Sequence, residues 1–245
     1  MRRLIIAVQF LTVFPLSTKH RFDEIDLAKS MIYFPLVGLG IGFILVCIRI
    51  PLSLYVPAAV SDALLIALLV IITGAMHLDA LADTADGMFS GKDRTGKLEI
   101  MKDSAVGAMG VVSIVMVIFL KYVALVALSE VHKYKGLLLM PMLGRWTQVV
   151  VAYCSDYAGL SKGLGFPFTM HVSLMILTLT ALMSFVIAFY LLSLPGVIIA
   201  AVVAITAVLY SFFFKCLLGG VTGDVLGAAT ELIEVLVLVL MLFIF

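Results

Sequence analysis

The sequence predicts an all-α fold: a polytopic transmembrane helical bundle of about seven spans, with an interfacial helix near the N-terminus. Two observations carry that prediction. Of 245 residues, 64% are hydrophobic and 13% charged, against about 25% charged in a soluble domain, and the mean hydropathy is +1.24. Such a chain has too little polar surface to cover a water-facing exterior, so lipid must be the solvent for most of it. The apolar residues also fall in blocks of about 20, the length needed to cross a hydrocarbon core. These blocks do not alternate as barrel strands would, and only helices or closed barrels satisfy their backbone in lipid.

Taken in order, the opening stretch "MRRLIIAVQFLTVFPLSTKHRF" mimics a signal peptide but lacks a small-x-small cleavage site. Its apolar part, 4–14, is too short to span and suits an interfacial or half-inserted helix. Seven spans follow, at roughly 31–50, 57–76, 105–128, 136–153, 173–193, 195–214 and 225–245. The fifth and sixth are separated only by Leu194–Pro195, which calls for a tight hairpin or a displaced span. No repeat or linker divides the chain, so residues 1–245 form one integral membrane catalytic domain. Cys47, Cys154 and Cys216 lie far apart and read as packing residues. The net charge of +1 points to no nucleic-acid partner, and a homo-oligomer is left open.

Basic residues orient the bundle. The side holding the N-terminus carries Arg2, Arg3, Lys19, Arg21, Lys29, Lys92, Arg94, Lys97, Lys102, Lys162 and Lys215, whereas the other side carries Arg49, Lys133 and Lys135. The first side is therefore expected to face the cytoplasm. The loops 77–104, 154–172 and 215–224, which hold nearly all the unusual polar chemistry, fall on that face.

In "HLDALADTADG" (77–87), Asp79, Asp83 and Asp86 stand at i, i+4, i+7. On a helix they lie within roughly 60° of one another. Like charges that close raise one another's pKa unless a cation sits among them, and Mg²⁺ uses such carboxylates together with substrate phosphates. Three acids at a helix start would also suit the macrodipole of a solvated interfacial helix. "LEIMKDS" adds Glu99 and Asp103, again four apart, interleaved with Arg94, Lys97 and Lys102. Carboxylates beside cations favour a metal-assisted site for a phosphate-bearing substrate. Gly107 and Gly110 follow, permitting close approach to the backbone.

A second cluster, "GGVTGDVLGAATELIE" (219–234), offers Gly220 in a flexible turn, and Asp224 and Glu231 on one helix face. Glu231 and Glu234 sit within the last span, where ionisable groups are functional or paired. Arg145 in "MLGRWTQ" is the expected partner. His77 points off the carboxylate stripe, so a role as general base stands beside a merely structural one. An ion-coupled transporter would use Glu231, Glu234 and Arg145 as coupling groups, but such proteins usually carry internal repeats, which this sequence lacks.

"HLDALADTADG", "LEIMKDSAVGAMG" and "GGVTGDVLGAATELIE" resemble the signature blocks of the cobalamin synthase family, the adenosylcobinamide-GDP ribazoletransferases. "QFLTVFPL", "FPLVGLGIG", "LGRWTQ" and "GLSKGLGFPF" extend the likeness over the whole chain. Ala80 stands where the family often has glycine, and "DSAVG" lacks the basic residue often found after "DS". The resemblance implies a multi-pass enzyme of the prokaryotic cytoplasmic membrane, dependent on Mg²⁺. Such an enzyme joins adenosylcobinamide-GDP to α-ribazole or its 5′-phosphate and releases GMP. It matches Asp79, Asp83, Asp86, Glu99, Asp103, Asp224 and Glu231 to the family's acidic positions; for that chemistry Asp79, Asp83, Asp86 and Asp103 are expected to hold the metal, Glu99 or Asp103 to act as base with His77 in reserve, and Arg94, Lys97 and Lys102 to bind phosphate. Arg145, Gly220, Asp224 and Glu231 complete the expected substrate-binding set. A fainter likeness links "DTADG" and "EIMKD" to the CDP-alcohol phosphotransferases, which perform analogous chemistry.

Overall fold

The structure, a computed structural model, describes residues 2–15 and 23–245. Lys19, His20 and Arg21 lie outside the described residues. Helix α1 (Arg2–Leu11) is too short to span and buries Ile6, Ala7 and Leu11 on one side. Arg2 pairs with Asp26 of α2 (Glu24–Ser30) at 2.9 Å. Through a 3₁₀ turn at Met31–Tyr33, α2 runs on into α3 (Phe34–Leu52), and Glu24–Leu52 is long and apolar enough to cross a membrane.

Five more helices meet that test: α7 (Ala108–Ala127), α8 (Glu130–Cys154), α10 (Leu174–Leu192), α11 (Leu194–Leu218) and α12 (Gly223–Ile244). The seventh is a broken one. Helix α4 (Ala58–Thr73) ends at Gly74 and Ala75, both with positive φ, and α5 (Met76–Phe89) leaves it at 87°. We take α4 as the span and α5 as an elbow lying across the end of the bundle. Short helices α6 (Arg94–Ile100) and α9 (Phe166–His171) complete that end.

Six of the seven expected spans occur as single helices among the described residues, and the seventh corresponds to the bent α4–α5 pair. The α10–α11 junction is the tight hairpin, turning at Ser193 with φ +57. Helix α8 is the axis of the bundle and is buried almost without break from Leu137 to Ala152. It can touch α3 closely because Gly38 and Gly42 present bare backbone to Pro141 and Leu137, where a Cβ would overlap the facing carbonyls. Such small-residue seams let packing, rather than water exclusion, hold helices together in lipid.

At the end of the bundle away from the elbow, Arg49 pairs with Asp62 and with Glu130 (2.6 Å), and Lys133 reaches Asp62 at 2.8 Å. The orientation count treats Arg49 and Lys133 as loop charges. They are in fact buried between the ends of α3, α4 and α8 and neutralised there. This leaves the elbow end still more clearly the basic one.

Candidate active site at the elbow

The carboxylate stripe of α5 exists because Leu78, Leu81, Ala82 and Ala85 occupy a neighbouring face at i, i+3, i+4, i+7 and are buried. Leu78 and Leu81 pack with Val117 of α7 and Ala228 of α12. Burying that face leaves Asp79 exposed, and Asp83 and Asp86 half-buried, at the polar end.

The three aspartates then divide. Both carboxylate oxygens of Asp86 are engaged: Oδ2 accepts from Gly107 N at 2.6 Å and Oδ1 from Gly110 N at 2.8 Å. Asp86 thus caps the first turn of α7 from another helix, where a negative charge also meets the positive end of the dipole. Gly107 and Gly110 are glycines for the same reason, since a Cβ at either would meet that carboxylate. Asp79 lines a cavity of about 140 Å³ together with Asp224, His77 and Gln148. Asp83, one turn on from Asp79, has its carboxyl pushed up to about 7, first by burial and then by Asp79, Asp224 and Asp86.

Asp224 opens α12, behind Thr222, whose Oγ1 accepts from Val225 N and donates to Asp224 Oδ2 at 3.3 Å. The preceding turn is locked by a parallel bridge, with Val221 N donating to Asp156 O (2.9 Å) and Ala158 N to Val221 O (3.0 Å). Gly220 sits within it at φ +153, its would-be Cβ directed at Asp156 O, so its role in the structure is to admit that strand-like pairing. Asp224 also borders a second recess, shared with Lys102, Tyr157 and Ser161. Lys102 Nζ lies 2.9 Å from Ser161 Oγ, and Tyr157 OH donates to Ser161 O at 2.8 Å. Asp79, Asp224 and Lys102 therefore border one continuous cleft, built from α5, α12 and the segment after α6, and Asp83 stands close enough to feel the charges of Asp79 and Asp224.

Other expected site residues lie elsewhere. Glu99 and Asp103 line a separate concavity with Lys92 and Asp93, and Asp103 Oδ1 accepts from Ala105 N in a local turn. Lys97 is buried and donates to Met88 O at 3.1 Å, satisfying the C-terminal end of α5. Arg94 packs its guanidinium on Gly219, beside the turn. His77 is 2% exposed, and burial together with the positive charges of Arg145 and Lys121 lowers its pKa to about 3. It is a neutral imidazole in the cavity wall.

The expected Arg145–Glu231 partnership is corrected. Glu231 pairs with Lys121 of α7 at 2.6 Å, Lys121 also bonds Glu234, and Arg145 bonds Glu234. Helices α7 and α8 both pack on α12, and two glutamates three apart point about 60° from each other, so Lys121 of α7 reaches both while Arg145 of α8 reaches Glu234. Neither Arg145 nor Glu231 lines the cleft. Sequence reasoning did not find Gln148, Phe10, Phe168, Tyr157 or Ser161. Only Gln148 left a signal there, one turn beyond Arg145 in "GRWTQ".

Among the described residues no three His, Cys, Asp or Glu side chains form a cage for a metal ion. The carboxylates nevertheless fit a hard divalent cation of the Mg²⁺ type, which takes one or two protein carboxylates and leaves its other positions to water and phosphate. A cluster that pushes Asp83 up to about 7 is one that a cation relieves.

Compared with known proteins, residues 3–242 match the family described as cobalamin-5-phosphate synthase. The chain is 41% identical over 238 residues to an adenosylcobinamide-GDP ribazoletransferase of Geotalea daltonii, covering 97% of this chain and 96% of that one. Proteins of the same name from Syntrophobacter fumaroxidans (40% identical, 95% and 94% covered) and Acetivibrio thermocellus (36%, 98% and 97%) are similarly close. No solved structure matches significantly. A helical bundle of six or seven spans with an acidic cleft at its elbow, matched almost from end to end by these sequences, belongs to the cobalamin-5-phosphate synthase family of transferases.

Proposed function

We propose that the protein joins adenosylcobinamide-GDP to α-ribazole or its 5′-phosphate, releasing GMP, with Mg²⁺ in the cleft. The observation that carries this reading is the meeting of Asp79 and Asp224 with Lys102 in one cleft at the basic end of the bundle, with Asp83 beside the two acids. The names of the relatives supply the substrates.

When bound, Mg²⁺ would neutralise the diphosphate and the charge that develops on the departing phosphate; Asp79 and Asp83 would hold it, with Asp224 beside them. Lys102 binds a phosphate oxygen from the recess side. Asp224, which borders both openings, takes the proton from the ribose 3′-hydroxyl as that oxygen bonds to the phosphorus nearest the cobinamide. The bond from that phosphorus to the GMP oxygen breaks in line, and GMP leaves with the electron pair. Asp86 and Lys97 act at a distance by fixing the two ends of the segment joining α5 to α7. The positive bias at this end supports a site facing the cytoplasm of a prokaryotic inner membrane.

The test is direct. Purified protein with adenosylcobinamide-GDP, α-ribazole and Mg²⁺ yields GMP and the joined corrinoid in equal amounts, and chelation of the metal stops both. Absence of GMP above that formed by an Asp79→Asn control overturns the reading.

A further inference from the structure

Beside Asp79 and Asp224, the cavity changes character. Its walls are Phe10 of α1, Phe168 of α9, Met76 of α5 and Leu226 of α12. Phe10 and Phe168 meet edge-to-face with ring centroids 5.0 Å apart, and Phe34 packs against both, so the aromatic wall is fixed from behind. Within the walls the buried polar side chains are His77 and Gln148. Gln148 Nε2 donates to Thr230 Oγ1 at 2.7 Å and bonds His77 Nε2 at 3.5 Å, which leaves the Nδ1 side of the imidazole to meet a ligand. Leu164, in the loop before α9, stands exposed at the lip where the cavity joins the recess of Lys102.

We propose that this cavity seats the flat, uncharged aromatic base of the nucleophilic substrate, with its sugar projecting past Asp79 and Asp224. The inference rests on the proposed transferase reading and adds to it the place and chemistry of one substrate. Three features lead there. The volume, about 140 Å³, is close to the roughly 150 Å³ of an apolar cavity that admits a benzene ring, and the open lip leaves room for the rest of a fused bicycle. The wall is aromatic and apolar, which suits a base whose polarity is a single ring-nitrogen acceptor, and His77, whose Nε2 meets Gln148, can donate to that nitrogen from Nδ1. A guanine base in the same place would bring two donor groups and three acceptors, more than the polar groups of the inner wall can meet, so several would face Phe10, Phe168, Met76 and Leu226 without a hydrogen bond. The cavity also opens at the carboxylates, so a sugar leaving the base arrives where a hydroxyl proton can be taken.

The experiment compares Phe10→Leu and Leu164→Ala with wild type. Leu164 is exposed, so its variant folds irrespective of packing. Each variant should raise KM for α-ribazole by about tenfold, as expected for a lost aromatic or aliphatic contact, and leave KM for adenosylcobinamide-GDP within about twofold. Equilibrium dialysis of α-ribazole alone against the purified wild type and variants should show the same weakening without turnover. A rise confined to adenosylcobinamide-GDP, or unchanged α-ribazole affinity in both variants of an otherwise active enzyme, overturns this assignment alone. A wild-type protein that neither binds α-ribazole nor forms GMP overturns the transferase reading and this inference with it.

Discussion

Glu231 and Glu234 look equivalent in sequence, yet replacing them by glutamine should have unequal consequences. Glu234 is 0% exposed and bonds both Lys121 and Arg145, whereas Glu231 bonds Lys121 alone. In Glu231→Gln, each cation still touches the Glu234 carboxylate, and the amide oxygen still accepts from Lys121. In Glu234→Gln, Arg145 loses its carboxylate partner. What remains to it is neutral, the new amide oxygen and Pro141 O at 3.4 Å, and its Nε and Nη2 are buried without a partner. Breaking a buried pair so that one charge is uncompensated costs about 3–5 kcal/mol, or roughly 6–20 °C in Tm for a chain of this size. The Glu231 variant should lose about 1 kcal/mol, the value of one hydrogen bond weakened from charged to neutral. Thermal unfolding in detergent measures both. Arg145→Met in the Glu234→Gln background should recover most of the loss, because the stranded charge is gone. Equal destabilisation by the two glutamine variants, or no rescue, would refute the pairing described here.

Asp79→Asn and Asp224→Asn should each lower GMP release at least about a hundredfold while Tm stays within about 2 °C, the pattern of groups that meet substrate rather than protein; circular dichroism and initial rates check this. Asp83 and Asp86 should part company in stability. Burial and neighbouring acids hold Asp83 up to about 7 from 3.8, so its stabilising contribution is complete below 3.8 and is lost as pH rises through about 7. Asp83→Asn should therefore raise Tm at pH 8 without divalent cations, and a fall would count against the clustering of these acids. Asp86→Asn should cost about 1–2 kcal/mol for a weakened helix cap, lowering Tm by roughly 2–8 °C. Cysteines placed at Lys92 and Lys162 should react only from the cytoplasmic side and one at Tyr55 only from outside; labelling of Lys92 from outside would invert the topology.

The spans were legible because membrane crossing is written in composition: seven blocks of apolar length leave few alternatives, and α3, α4, α7, α8, α10, α11 and α12 fall where the blocks do. The acidic stripe was legible because i, i+4, i+7 spacing fixes a face on any helix. What that face meets was not. Glu99 and Asp103 share a phase, but α6 is only seven residues long, and nothing in its sequence sets its roll against α5; the fold aims both into another concavity. Lys97 read as a phosphate ligand because its charge was visible and its acceptor, the backbone oxygen of Met88, was not. Lys121 was overlooked as a partner because pairing across helices depends on which neighbours flank α12. Phe10 and Phe168 carried no signal at all, since an aromatic residue in so apolar a chain looks like packing until two of them face a cavity.

The elbow reconciles two demands that a straight helix could not. Carboxylates deep in hydrocarbon are costly, yet a phosphoryl-transfer site gains from fixed neighbours and little water. Turning α5 by 87° keeps Asp79 and Asp83 at the polar end of the bundle while its apolar face still packs on α7 and α12. The turn leaves backbone groups open, and the same site residues close them: Asp86 meets the N–H groups opening α7, and Lys97 meets a carbonyl at the end of α5. The charges that sequence alone assigns to chemistry thus separate into those that face the cleft and those that hold it in place. A substitution in the second group should reach catalysis only by moving the first.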